Sequence, residues 1–189
     1  MLDQDLHIHT TFSSGDSAIV PNQTVEFVAS VHHAEIIGIS DHFDYLVGGK
    51  FDAYKAEVLK HGLILGTEVD GANWVNEAIQ YPFEYYIYHC YDHPSDYKGI
   101  DTLLATGKPV IIAHPQALNT NLNKVPVECY IEINNRYIWR FDWRTYYTPF
   151  TDKFRFVLGS DAHQPNWLSH SVAEFVAGEL GVFNSFIFK

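Results

Sequence analysis

Short apolar runs alternate with amphipathic stretches from one end of this chain to the other. Runs rich in Ile, Val, Leu and Tyr predict strands over residues 2–9, 35–40, 63–68, 84–89, 110–114, 129–134, 155–160 and 182–188. Between them, helical spacing predicts helices over 22–33, 53–61, 74–79, 100–106 and 169–180. The first helix has Pro21 near its first turn and a stripe of Val25, Val28, Ala29 and Val31, and the second is closed by Gly62. Residues 136–150 are aromatic and polar without a clear period and read as a functional or capping loop. Strand and helix in alternation define the α/β class, here a parallel sheet closed into a small, distorted barrel of seven or eight βα-like units. No linker, repeat or charge block divides the chain, so a single domain over 1–189 is expected.

The polar residues that end these runs are not random. Six segments place His, Asp or Glu where a strand stops: Asp5-Leu6-His7-Ile8-His9-Thr10, Ser40-Asp41-His42, Gly66-Thr67-Glu68, Tyr88-His89, Ala113-His114-Pro115 and Gly159-Ser160-Asp161-Ala162-His163. A parallel barrel gathers the C-terminal ends of its strands on one face, so these residues are expected to converge. His7 and His9 share one side of a strand because side chains alternate with period two, and Asp161 and His163 repeat that spacing. Imidazole nitrogen with carboxylate oxygen suits Zn, Mn or Fe. Four separate strands ending in His42, Glu68, His89 and His114 strengthen the metal reading beyond what either pair gives alone.

Composition narrows the partners. The chain has 189 residues, 47% of them hydrophobic, which is enough for a sizeable core. With 23 acidic and 12 basic residues the formal net charge is −11, which argues against a non-specific grip on extended nucleic acid. It leaves room for a small anionic substrate, since bound cations would reverse the local potential. The 13 Phe, 12 Tyr and 4 Trp read first as wall and core. Those in the loops at 44–51, 70–81 and 136–150 hint at stacking against a ring-bearing substrate. Cys90 and Cys129 lie in no CxxC and are expected to be reduced, buried thiols. No stretch reaches the length of a membrane span and the N-terminus has no signal-peptide pattern, so a cytoplasmic protein is expected.

Other polar residues carry weaker expectations. Arg136, Arg140 and Arg155 are candidate phosphate clamps, Arg136 first because it follows Glu132-Ile133-Asn134-Asn135 at a strand end. Asp41 would point differently from His42 and is expected to support the site from behind. His32, His33, His61 and His170 fall in or beside predicted helices and are expected to face solvent.

Taken in order, His-x-His-Thr, Asp-His, Gly-x-Glu, His, Ala-His-Pro and Gly-Ser-Asp-Ala-His span residues 5–163, nearly the whole chain. This ordered set resembles the PHP (polymerase and histidinol phosphatase) family, metal-dependent phosphoesterases built on a distorted (β/α)7 barrel. The resemblance implies a first metal on His7, His9, Glu68 and Asp161, and a second that shares Glu68 and adds His89 and His114. It implies a third on His42 and His163 plus an acid or His from the loop after the first motif. The family usually supplies that ligand five or six residues after the second His. Here Ser14 and Gly15 stand there and Asp16 comes one residue later, so Asp16 is the candidate.

The resulting expectation is hydrolysis of a small phosphomonoester at two to three divalent ions (Zn, Mn or Fe), with Glu68, Asp161 and His163 at the reacting centre and Arg136 on the substrate. A bridging carboxylate between two metals is the usual device for such chemistry. Alternatives are a phosphodiesterase or exonuclease using the same site, an amidohydrolase-like enzyme, and a non-catalytic metal-binding domain.

Overall fold

A computed structural model describes residues 2–189. Seven strands form one parallel sheet in which each pairs with the next: β1 (Leu2–Asp5), β2 (Ala34–Ile39), β3 (Ile64–Asp70), β4 (Tyr85–His89), β5 (Val110–Ile112), β6 (Tyr130–Asn134) and β7 (Arg155–Gly159). The sheet curls into a nearly closed barrel. Its seam between β1 and β7 is spanned by an isolated parallel bridge, Ile8 to Ala162, with His9 N donating to Ala162 O at 2.9 Å. At the same seam the Asp5 carboxylate accepts from Ser160 N at 3.2 Å, where a regular ladder would have offered a carbonyl.

Seven short helices flank the strands: α1 (Val25–Val31), α2 (Phe43–Leu46), α3 (Phe51–Lys60), α4 (Val75–Ala78), α5 (Pro94–Leu104), α6 (Trp143–Tyr147) and α7 (Ser171–Leu180). Their apolar faces and the outward strand residues form the larger core, which includes Ile39, Phe43, Tyr54, Val69, Tyr88, Ile112, Ile131 and Val176. A smaller core fills the barrel's interior: Leu6, Tyr85, Ile87, Ile111, Ala113, Tyr130 and Val157. Tyr85 crosses that interior to donate its hydroxyl to Leu6 O at 2.7 Å. Above this layer the inward positions turn polar, and that change marks the site.

Several elements depart from what the sequence predicts. β1 stops at Asp5, and residues 6–9 continue it without regular pairing. α5 begins at Pro94, six residues ahead of the helix predicted over 100–106, because His93 and Asp96 form a capping box there with Pro94 in the first turn. Residues 113–129 between β5 and β6 hold no helix, so the βα alternation lapses once. The aromatic stretch 136–150 is not a plain loop; it folds into two 3-10 turns, Ile138–Arg140 and Thr148–Phe150, around α6.

The strand predicted over 182–188 does not form. Only Asn184 bridges to Phe156, while Gln4 Oε1 accepts from Ile187 N and Phe188 N at 3.0 and 3.3 Å. Ile187 and Phe188 pack on the inner core, so the tail covers the barrel's N-terminal end instead of extending the sheet. Cys90 and Cys129 are buried and unpaired. Among the described residues no helix is long and apolar enough to cross a membrane.

Candidate metal centre

Glu68 sits inward on β3, 2% exposed, and gathers five histidines from four segments of the chain. Its Oε1 lies 2.6 Å from His89 Nε2, 3.1 Å from His7 Nε2 and 3.5 Å from His114 Nε2. Its Oε2 lies 2.9 Å from His42 Nδ1 and 3.3 Å from His9 Nε2. Each donor follows from its strand. His42 bridges to Glu68 just past β2, His89 ends β4, and His114 follows β5. Asp161 and His163 follow β7, where the Asp161 Oδ1 is 3.9 and 3.8 Å from the Nε2 atoms of His7 and His9. His114 and Asp161 both hold positive φ, 27° and 51°, a conformation that costs a non-glycine residue about 1–3 kcal/mol and that clusters at functional sites.

Asp16 reaches the cluster despite its displacement in sequence. A turn from Ser13 O to Asp16 N and a 2.7 Å bond from Ala18 N to Asp16 Oδ1 leave Oδ2 directed inward. That oxygen is 2.8 Å from His163 Nε2 and 3.5 Å from His42 Nε2. At Gly15 an added Cβ would stand 2.3 Å from the Tyr45 ring, so a side chain there would have to displace that ring. Asp41 anchors the loop from below, accepting from Thr10 N, Thr10 Oγ1 and Ser13 Oγ at 2.6–2.7 Å. It thereby supports the site by fixing the loop at Thr10 and Ser13, and Ser13 Oγ in turn accepts from His42 N at 2.9 Å.

Two supporting carboxylates were not anticipated from the sequence. Glu132, inward on β6, accepts from His7 Nδ1 at 2.7 Å through Oε1, and from His114 N at 2.7 Å through Oε2. This fixes the His7 tautomer and leaves Nε2 free to face Glu68, the arrangement by which outer carboxylates orient metal-binding imidazoles. Asp70 does the same for His89 Nδ1 at 3.0 Å. Asn134 joins Glu132 to Asp161, donating to each through Nδ2 at 3.0 and 3.2 Å. A signal was present: Tyr130-Ile131-Glu132-Ile133-Asn134 puts Glu and Asn on the inward face of a barrel strand.

The charges are tightly coupled. Burial pushes the Glu68 carboxyl up, but His89, His7, His42 and His9 outweigh it and hold it well below the usual carboxylate range. Burial likewise opposes charge on His42 and His89, yet Glu68 with Asp16 or Asp70 raises them to about 10 and about 9. His9 goes the other way, held down by burial and by the positive neighbours His163 and His42.

Three sets of side chains have donor atoms within 4.8 Å of one another: His7, His9 and Asp161; His7, Glu68 and His114; and His9, His42 and His163. All donors are nitrogen or oxygen, and the buried Nδ1 atoms of His9 and His114 have no hydrogen-bond partner. Such a cluster fits divalent metal ions of the Zn, Mn or Fe type.

Arg136 lies at the mouth of the site. Its Nη1 is 3.2 Å from Asp161 Oδ1 and sits over the His163 ring at 3.2–3.3 Å. Arg140 is exposed nearby against Tyr137 and Trp139. Arg155 belongs to the opposite end of β7, bonded to Tyr130 Oη and Glu128 O, and is not part of the site. Of the aromatic residues expected to line it, Trp74 and Tyr81 pack on the core with Phe43, whereas Tyr137 does line the cavity of about 420 Å³. His33 and His170, expected in solvent, are instead drawn in beside Asp5; their side chains are 7% and 1% exposed.

The support shell makes a steric prediction. In Gly159→Ala the new Cβ would lie 2.0 Å from Glu132 Oε1 and 3.1 Å from His7 Cβ. Urea unfolding of that variant is expected to show a loss of about 1–3 kcal/mol, the usual cost of overpacking. Wild-type stability would contradict the packing described.

Fold and site together define a TIM-like barrel that carries a buried histidine–carboxylate cluster at the C-terminal ends of its strands, where such barrels place their chemistry. No protein-family model matches the chain, and no curated protein matches it.

Proposed function

We propose that this chain is a metal-dependent phosphoesterase of the PHP kind that hydrolyses a small phosphomonoester. The observation that carries the reading is Glu68, a single buried carboxylate whose two oxygens face two different groups of histidines. His7, His9, Glu68 and Asp161 would hold one ion, Glu68, His89 and His114 a second, and His42, His163 and Asp16 a third. Bound there, divalent ions would supply a nucleophile near neutral pH by acidifying water and would offset charge on the phosphoryl oxygens.

The chain's own residues do the rest. Glu132 and Asp70 orient His7 and His89, so the donor set is rigid before substrate arrives. Arg136 turns its guanidinium from Asp161 to a phosphate oxygen, which it matches in shape and charge. Tyr137, stacked between Arg136 and Arg140, forms the apolar wall beside the bound ester. No lysine lines the cavity, so a lysine-bridged amidohydrolase site has no residue to build it. The net charge of −11 sets the chain against extended nucleic acid.

The test compares p-nitrophenyl phosphate with bis-p-nitrophenyl phosphate on metal-loaded protein. Chelator-sensitive turnover of the monoester, with the diester at least about tenfold slower in kcat/KM, is the expected result. A preference for the diester would move the reading to a phosphodiesterase, and inertness toward both would overturn it.

A further inference from the structure

A second cavity of about 470 Å³ opens beside the metal centre, and Arg136 belongs to the walls of both. Its size is that of a small-molecule site. Trp139, Arg140, Asn166, Trp167 and Ser169 also line it, and no acidic side chain does. In a chain of net charge −11, a cleft with two arginines and no carboxylate stands out. The cations are held by aromatic faces. The Arg136 guanidinium lies 5.0 Å from the rings of Trp167 and Tyr137, and that of Arg140 lies 5.1 Å from those of Tyr137 and Trp139. The result is an alternating series of rings and guanidinium groups, Trp167, Arg136, Tyr137, Arg140 and Trp139, that starts beside His163.

Arg136 has Asp161 as a partner, whereas Arg140 makes no ion pair and no side-chain hydrogen bond among the described residues. Trp139 is 63% exposed on the same rim, a large aromatic face that meets Arg140 and otherwise opens to solvent. An exposed tryptophan beside an unpartnered guanidinium offers a planar ring its stacking surface and an anion its fork of donors.

We propose that this cleft binds the leaving group of the substrate and that the leaving group is an aromatic ring bearing a second anionic group, of the carboxylate type. The phosphate occupies the metal-side cavity, Arg136 spans the join, the ring lies against Trp139 or Trp167, and the distal anion meets Arg140. The assignment rests on the phosphoesterase reading above and adds the substrate class. The reaction is ordinary ester hydrolysis: water's oxygen bonds to phosphorus, the phosphorus–oxygen bond to the ring breaks, and the hydroxylated ring leaves with a proton.

The experiment uses the full chain, wild type and Arg140→Ala, with 4-carboxyphenyl phosphate and phenyl phosphate as paired substrates. In the wild type the carboxylated ester is expected to have a kcat/KM higher by about tenfold or more, most of it in KM, as one charge-assisted contact supplies. In Arg140→Ala the ratio is expected to fall to about twofold or less. Equal rates for the two esters in the wild type, or an unchanged ratio in the variant, would overturn the proposal.

Titration calorimetry with 4-hydroxybenzoate, which lacks phosphate, separates this from the phosphoesterase reading. If neither ester is turned over but 4-hydroxybenzoate binds the wild type and not Arg140→Ala, the cleft stands and the phosphatase falls. If both esters are turned over equally and 4-hydroxybenzoate does not bind, the reverse holds.

Discussion

Replacing Glu68 by Gln is expected to cut phosphatase turnover by on the order of 10³-fold and to lower bound metal together with it. The size of the effect follows from position. One carboxylate faces five imidazoles, so its loss removes an oxygen donor from two sets of ligands at once. Glutamine keeps the shape, so circular dichroism and the unfolding midpoint separate a lost ligand from a lost fold. Turnover within about tenfold of wild type in a folded Glu68→Gln protein would remove the proposed mechanism.

The second large effect is structural and lies outside the site. Asp5 is fully buried, and its carboxylate joins Ser160 N across the β1–β7 seam to His33 Nε2 at 3.0 Å and His170 Nε2 at 3.3 Å. Asp5→Ala leaves His33 Nε2 and the Ser160 N–H without their acceptor and takes the carboxylate from beside the buried His170. Breaking a buried charged cluster by removing one member costs about 3–5 kcal/mol. A loss of that size in urea unfolding is expected, and a loss below about 1 kcal/mol would show that the seam does not depend on it.

The same carboxylate gives a pH dependence of known sign. Burial pushes the Asp5 carboxyl up, but His170 and His33 outweigh it and hold it far below its usual value of 3.8. A depressed pKa in the folded state means the stabilisation is complete above the unfolded value and is lost as pH falls from there toward the folded one. In Asp5→Asn that part of the acid-induced loss is expected to disappear, so the stability gap between wild type and variant should narrow steadily as the pH falls below the unfolded value of 3.8.

Much of this was legible in the chain because strand ends in a parallel barrel must meet. The β/α alternation and the residues at strand ends predicted a barrel, and the structure brings His7, His9, His42, Glu68, His89, His114, Asp161 and His163 together. What failed has identifiable causes. The strand read over 182–188 has the right alternation, but its pairing with β7 stops at Asn184 and Ser185, and the Gln4 side chain takes the next backbone donors instead. α5 was placed late because Gly99 interrupts the periodicity, although His93 and Pro94 already carried a start signal.

Glu132 carries no strand-end signal, because it lies within β6 and not at its end. His33 and His170 look like surface residues at helix ends, and only their approach to the buried Asp5 carboxylate across the seam draws them in. Asp16 is the case that spacing alone could not decide. Its reach depends on the turn at Ser13 and on the Tyr45 ring over Gly15, neither of which a count of residues reveals.

The central claim is that the histidine–carboxylate cluster is a metal centre. Elemental mass spectrometry on protein purified without added metal, run beside Glu68→Gln and Asp16→Ala, tests it most directly. About two to three equivalents of Zn, Mn or Fe are expected in the wild type, about one fewer in Asp16→Ala, and well under one in Glu68→Gln. Wild-type protein that holds no metal, even after incubation with these ions and gel filtration, would contradict the account.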